Sequence, residues 1–86
     1  MEENMIKVGE ISHYYSKIGV VIIDLEKPLK VGDTIAVKGA NTDFKQKVES
    51  MQIEHQNVQE AKAGESIGLK VVDRARESDV VYKIVE

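Results

Sequence analysis

Cysteine is absent from this chain of 86 residues. A disulfide framework, a thiolate metal site and a thiol nucleophile are therefore excluded, and the composition suits a reducing compartment. The sequence also lacks internal repeats and low-complexity tracts, and a single proline interrupts it. We therefore expect one folded domain over residues 1–86, since a single core typically needs roughly 50 to 200 residues.

Long apolar runs are missing as well. The longest, residues 19–23, is far too short to span a bilayer, and residues 1–5 carry two acids and no apolar stretch. We therefore expect a cytoplasmic protein with no membrane contact. The formal charge of -3 repels phosphate backbones at long range, so sequence-blind binding of nucleic acid is not expected.

What the sequence does contain is a β pattern: short runs of valine and isoleucine separated by glycine, proline, asparagine and aspartate. This pattern predicts an all-β domain of about six strands. They cover about residues 5–12, 18–26, a third strand with Ile35 and Val37, 44–55, a fifth strand with Ile67, Leu69 and Val71, and 80–85.

Two strands carry irregularities. The apolar phase slips at Gly9 and Glu10, which predicts a bulge. An extra residue near Glu49 or Ser50 predicts a bend in the fourth strand. The polar connection between His55 and Glu65 is interpreted as a segment with a helical turn.

Exposed edges of strands that are rich in valine and isoleucine would promote aggregation, and closing the sheet removes those edges. We therefore favour a closed barrel over a sandwich. The alternation predicts a buried set of residues. They are Val21, Ile23, Ile35, Val37, Val48, Met51, Ile53, Ile67 and Leu69.

Two segments resemble the second domain of translation elongation factor GTPases. One is Gly19-Val20-Val21 leading to residues 30–35, and the other runs from Val48 to Leu69. The closest resemblance is to the stand-alone "translation elongation factor-like" proteins. It implies a closed Greek-key β-barrel of about six or seven strands.

The phosphate-cradling loop G-x-x-x-x-G-K-[ST] is missing, so we expect no nucleotide to be bound by this chain alone. The resemblance instead implies a module that is not an enzyme and that docks on RNA or the ribosome. The alternative is a protein-interaction or assembly domain without RNA contact. Basic patches with aromatic side chains would favour RNA, whereas a large apolar patch would favour a protein partner.

The candidate binding residues are His13, Tyr14, Tyr15, Lys17 and Gln52. Rings beside a cation can stack unpaired bases, and this segment is predicted to be a loop between strands. The alternative is that one tyrosine plugs the barrel end. Gln52 is a candidate because the resemblance places there a carboxylate that contacts the tRNA end, although an outward-facing structural glutamine is the alternative.

Metal and cofactor sites are not predicted, because the two histidines, His13 and His55, have no cysteine partners. A further basic cluster lies near the C-terminus, interleaved with acids. Its members are Lys70, Arg74, Arg76 and Lys83. We expect these side chains to be paired with Asp73, Glu77 and Asp79 on a solvated face.

Overall fold

The computed structural model describes residues 4–85, which form ten β-strands. The strands are β1 (Asn4–Tyr15), β2 (Val20–Leu25), β3 (Leu29–Lys30), β4 (Thr34–Gly39), β5 (Thr42–Lys47), β6 (Met51–Ile53), β7 (Gln56–Val58), β8 (Glu60–Ala61), β9 (Ser66–Lys70) and β10 (Val80–Val85). The prediction of an all-β domain is confirmed. Within residues 4–85 no helix is long and apolar enough to cross a membrane.

Eight strands form one antiparallel sheet in the order β5-β4-β10-β1-β2-β9-β6-β7, and β3 pairs with β8. The sheet joins the two ends of the chain, since β1 lies between β10 and β2. These pairings establish a large antiparallel sheet with β5 and β7 at its edges. The pairing that would close it into a barrel is not among those of residues 4–85.

The long first strand bends twice. Its register against β10 shifts between Lys7 and Gly9, close to the predicted bulge, and its register against β2 shifts between Ile11 and His13. Because of the second shift, the chain stays in the sheet through Tyr15. The prediction that residues 13–15 form a loop is therefore wrong, and they are the end of β1.

The core matches the apolar alternation of the sequence. All the residues predicted to be buried are buried except Ile53, which is partly buried and packs against the core. The predicted fourth strand is instead two strands, because residues 48–50 leave the sheet between β5 and β6, at the point where a bend was predicted. Val48 remains fully buried in that corner.

The connection after β6 differs from the prediction of a helical turn. Ile53 pairs with Gln56, so Glu54 and His55 form a two-residue hairpin turn. Both have positive φ, 51° and 65°, as a type I′ turn requires. Such turns normally use Asn-Gly, so Glu54-His55 does not indicate a tight turn at this position.

Candidate functional site

A cavity of about 600 Å³ lies beside the hairpin that joins β1 and β2. Its apolar lining comes from Tyr15, Ile18, Val20, Ile22 and Ile67. Its polar lining comes from Gln52, Glu54, His55 and Ser66, and Gly68 completes the wall. We call this cavity the Tyr15 pocket.

Gly68 gives the pocket its depth. It lies inside β9, paired with Ile22 on β2 and with Gln52 on β6. A Cβ atom there would lie 3.8 Å from the Gln52 carbonyl oxygen and 3.8 Å from Ile22 Cδ1, which is ordinary contact. Neither backbone conformation nor crowding therefore requires glycine here. Glycine inside a strand costs about 0.5–1 kcal/mol relative to alanine. Gly68 therefore lowers the stability of the fold and leaves the pocket unfilled at this position.

Two large apolar side chains stand at the rim. Ile18 is 62% exposed and Tyr15 is 46% exposed. Exposed apolar residues are common singly, but a group that borders a cavity is typical of a binding surface. The His13 ring lies 4.7 Å from the Tyr15 ring, tilted by 45°. This ring contact restrains Tyr15 on its outer side.

The opposite rim is the β6–β7 hairpin. Its two turn residues, Glu54 and His55, adopt left-handed conformations that side chains disfavour. Behind them, Gln52 Nε2 donates a hydrogen bond to Asn57 Oδ1 at 3.2 Å, which fixes the amide on the β6–β7 ladder.

The structure brings together two of the five candidate binding residues, because Tyr15 and Gln52 line the same pocket. Tyr14 lies on the other face of β1 and packs, half-buried, against the core. His13 is exposed and its Nδ1 lies 3.5 Å from Glu77 Oε1. Lys17 is exposed in the turn at residues 16–19 and does not line the pocket.

Sequence reasoning missed Ile18 and Gly68. One signal for Ile18 was available, since an isoleucine in a turn has no core to enter. A glycine flanked by Ile67 and Leu69 in an alternating strand was a second signal, because it leaves a gap in a row of side chains.

No protein-family model matches this chain. Sequence relatives are nevertheless found among proteins named for proteolysis. The chain is 42% identical over 82 residues to an uncharacterized protease of Methanocaldococcus jannaschii, covering 94% of this chain and 20% of that protein. It is 36% identical over 80 residues to a collagenase of Porphyromonas gingivalis, covering 91% of this chain and 19% of that protein. The chain thus spans about a fifth of the length of these relatives.

Solved structures establish the fold. Two crystal structures of the C-terminal domain of a Geobacillus thermoleovorans protein, described as a U32 peptidase, superpose on this chain with a TM-score of 0.84. They are 16% and 18% identical to it and cover 88% and 90% of it, and the match covers 96% and 90% of those domains. The chain therefore has the fold of that C-terminal domain.

These comparisons correct the resemblance inferred from sequence. The assignment to translation elongation factors is wrong, because the relatives are named as a protease and a collagenase. The predicted function, a translation-factor-like module that docks on RNA, is wrong for the same reason, and the prediction that this chain is not an enzyme is contradicted by relatives named as a protease and a collagenase. The residues that suggested the family are turn and core residues, such as Gly32 and Ile67. Such residues specify a fold, and one fold serves many functions.

Proposed function

We propose that this chain serves a U32-type peptidase as the domain that holds the polypeptide, with one apolar side chain of that polypeptide seated in the Tyr15 pocket. The names of the sequence relatives, a protease and a collagenase, supply the peptidase context. The open wall at Gly68 is the observation that carries the proposal.

The chemistry of the pocket suits a peptide. Apolar walls with a few fixed polar groups bind a side chain by burial and orient it by hydrogen bonds. Here burial is offered by Ile18, Ile22 and Tyr15, and polar contacts by Gln52 and Ser66. Ser66 Oγ already lies 2.7 Å from Asp24 Oδ1, so its orientation is set before a ligand arrives.

Binding can be tested by titrating the ¹⁵N-labelled chain with N-acetylated peptide amides that differ in one central residue. We expect peptides with leucine or phenylalanine at that position to shift the amide signals of Ile22, Gln52 and Gly68 with saturation. A central serine should bind at least tenfold more weakly, because it buries little apolar surface.

Variants locate the site. Gly68→Leu should abolish saturation by filling the pocket, and Ile18→Asp should weaken it at least tenfold. Val72→Asp is the matched control, since Val72 is 76% exposed and lies outside this pocket. Equal binding by Gly68→Leu and the unchanged chain would overturn the proposal.

The connection with proteolysis requires a second experiment. The matching segment of the M. jannaschii protease is replaced by this chain, with and without Gly68→Leu, and hydrolysis of a leucine-containing peptide is measured. We expect hydrolysis with the unchanged segment and a raised KM with the filled pocket. An unchanged KM for the chimera with Gly68→Leu would show that the domain has another function.

Three finer statements belong to this proposal. We infer that the sheet closes into a barrel along the seam between β5 and the end of β9, where the Gln46 side chain contacts the backbone. We infer that the chain works in the cytoplasm, as the absence of cysteine favours. The expected partner is a protein, with no membrane contact and no nucleotide bound by this chain alone.

A further inference from the structure

A second cavity of about 540 Å³ lies on the other side of the β1–β2 hairpin. Tyr14 and Ser16 line it from the hairpin, Asn41 from the β4–β5 turn, and Arg74 and Arg76 from the loop between β9 and β10. Two arginines and four residues whose neutral side chains can donate hydrogen bonds therefore border one space, since Thr42 lines it as well.

The acids of the same loop are engaged elsewhere. Asp73 Oδ1 accepts a hydrogen bond from the Arg74 backbone N–H at 2.7 Å, and Asp79 Oδ2 accepts one from the Arg76 backbone N–H at 2.8 Å. The third acid, Glu77, lies beside His13.

The predicted pairing of these arginines with the loop acids is therefore wrong. Within residues 4–85, none of the ion pairs includes either guanidinium. Within that part of the chain neither guanidinium is therefore neutralised by a direct ion pair.

The loop that carries the arginines is held in place. Ser78 N–H donates to the Ile11 carbonyl and Ile11 N–H donates to the Asp79 carbonyl, each at 2.8 Å. Ala75 is buried at 2% exposure, whereas Arg74 and Arg76 on either side of it are exposed. Two arginines are thus presented by a backbone that is already ordered, which reduces the entropy cost of binding.

We propose that Arg74 and Arg76 form a binding site for a carboxylate group of a polypeptide. Guanidinium groups bind carboxylates through paired, charge-assisted hydrogen bonds, and the hydroxyl groups of Tyr14 and Ser16 can add further donors. The net charge of -3 opposes binding of a long polyanion such as a phosphate backbone. The choice of a polypeptide rests on the proposed function, but the residues are different from those of the Tyr15 pocket.

The test uses four probes with the ¹⁵N-labelled 86-residue chain at low salt: acetylated tetraglutamate amide, its tetraglutamine counterpart, inorganic phosphate and an oligouridylate. We expect tetraglutamate to shift the amide signals of Ser16, Asn41 and residues 73–77 with saturation. Tetraglutamine should cause no saturable shift. Arg74→Gln with Arg76→Gln should weaken tetraglutamate binding at least tenfold.

A matched control is Lys27→Gln with Lys62→Gln, which removes the same charge from exposed residues that do not line this cavity. It should bind like the unchanged chain, and both double variants should keep the melting temperature. Equal weakening by the control would reduce the effect to net charge and overturn the site. The carboxylate assignment would be overturned if oligouridylate or phosphate bound with saturation and tetraglutamate did not. It would also be overturned if none of the four probes bound with saturation. Because these signals are not those of Ile22, Gln52 and Gly68, failure here is distinguishable from failure of the Tyr15 pocket.

Discussion

The side chain of Gln46 hydrogen-bonds to the backbone at Val72. Val72 N–H donates to Gln46 Oε1 at 2.8 Å, and Gln46 Nε2 donates to the Lys70 carbonyl at 2.9 Å. One side-chain amide thus takes the place of a peptide group between β5 and the end of β9. It satisfies backbone groups that the sheet order leaves without a strand partner.

We predict that Gln46→Ala lowers the free energy of unfolding by about 1–3 kcal/mol, because two hydrogen bonds of about 0.5–1.5 kcal/mol each are lost. Urea unfolding measures it. Gln56→Ala, at an exposed strand position, is the control and should change the free energy by less than about 0.5 kcal/mol. Equal effects of the two substitutions would contradict the bridging role.

Two glycine-to-alanine changes should act in opposite directions. At Gly9 a Cβ atom would collide with the Asp24 carbonyl oxygen and lie 2.9 Å from Ile23 Cγ2. Gly9→Ala should therefore destabilise the fold by about 1–3 kcal/mol. Gly68→Ala meets only ordinary contacts and should stabilise it by about 0.5–1 kcal/mol. A loss of stability for Gly68→Ala would show that this glycine is structural.

The hairpin at Glu54 and His55 should be improved by the residues that its turn prefers. We predict that Glu54→Asn with His55→Gly stabilises the chain by about 1–2 kcal/mol, because glutamate and histidine are disfavoured in left-handed backbone conformations. For a domain of this size the melting temperature rises about 4–8 °C per kcal/mol. Glu60→Asn, in β8, is the control and should give no increase. An unchanged melting temperature for the double variant would argue against strain in the turn.

The two adjacent tyrosines should separate stability from binding. Tyr14 packs half-buried against the core, so Tyr14→Ala should cost about 2 kcal/mol, below the range of about 3–5 kcal/mol for a fully buried aromatic ring. Tyr15→Ala should cost less than about 1 kcal/mol and weaken peptide binding in the Tyr15 pocket, because Tyr15 is 46% exposed at its rim. Thermal melts and peptide titrations of both variants measure this. A larger loss of stability for Tyr15→Ala would reverse the two roles.

The sequence predicted features that depend on neighbouring residues. The last strand, β10 (Val80–Val85), has the predicted bounds, and the break between β5 and β6 and the register shift near Gly9 lie where the apolar phase slips. Alternation is a local property: a one-residue change of phase moves every following side chain to the other face. Eight of the nine residues predicted to be buried are therefore buried, whereas other core residues such as Leu29, Ala75 and Val81 were not predicted.

The site could be predicted only in part, because its residues come from separate strands. Tyr15 and Gln52 were chosen for their chemistry, yet what places them in one pocket is the pairing of β2 with β9 and of β9 with β6. No residue near Gln52 in sequence indicates that Gly68 lies opposite it. The family resemblance failed for a related reason, since it rested on residues that maintain a fold and carry no ligand.

By itself the sequence determined that this protein is an all-β domain with a valine- and isoleucine-rich core, because apolar alternation is written along each strand. Only the tertiary structure decided that Gln46 bonds to the backbone near Val72 and that Gly68 opens a pocket between β2 and β6. The physical reason is distance along the chain. The Gln46 contacts and the pairing of Gly68 with β2 and β6 join segments that are distant in sequence, and strand register brings those segments together. No local pattern encodes that approach.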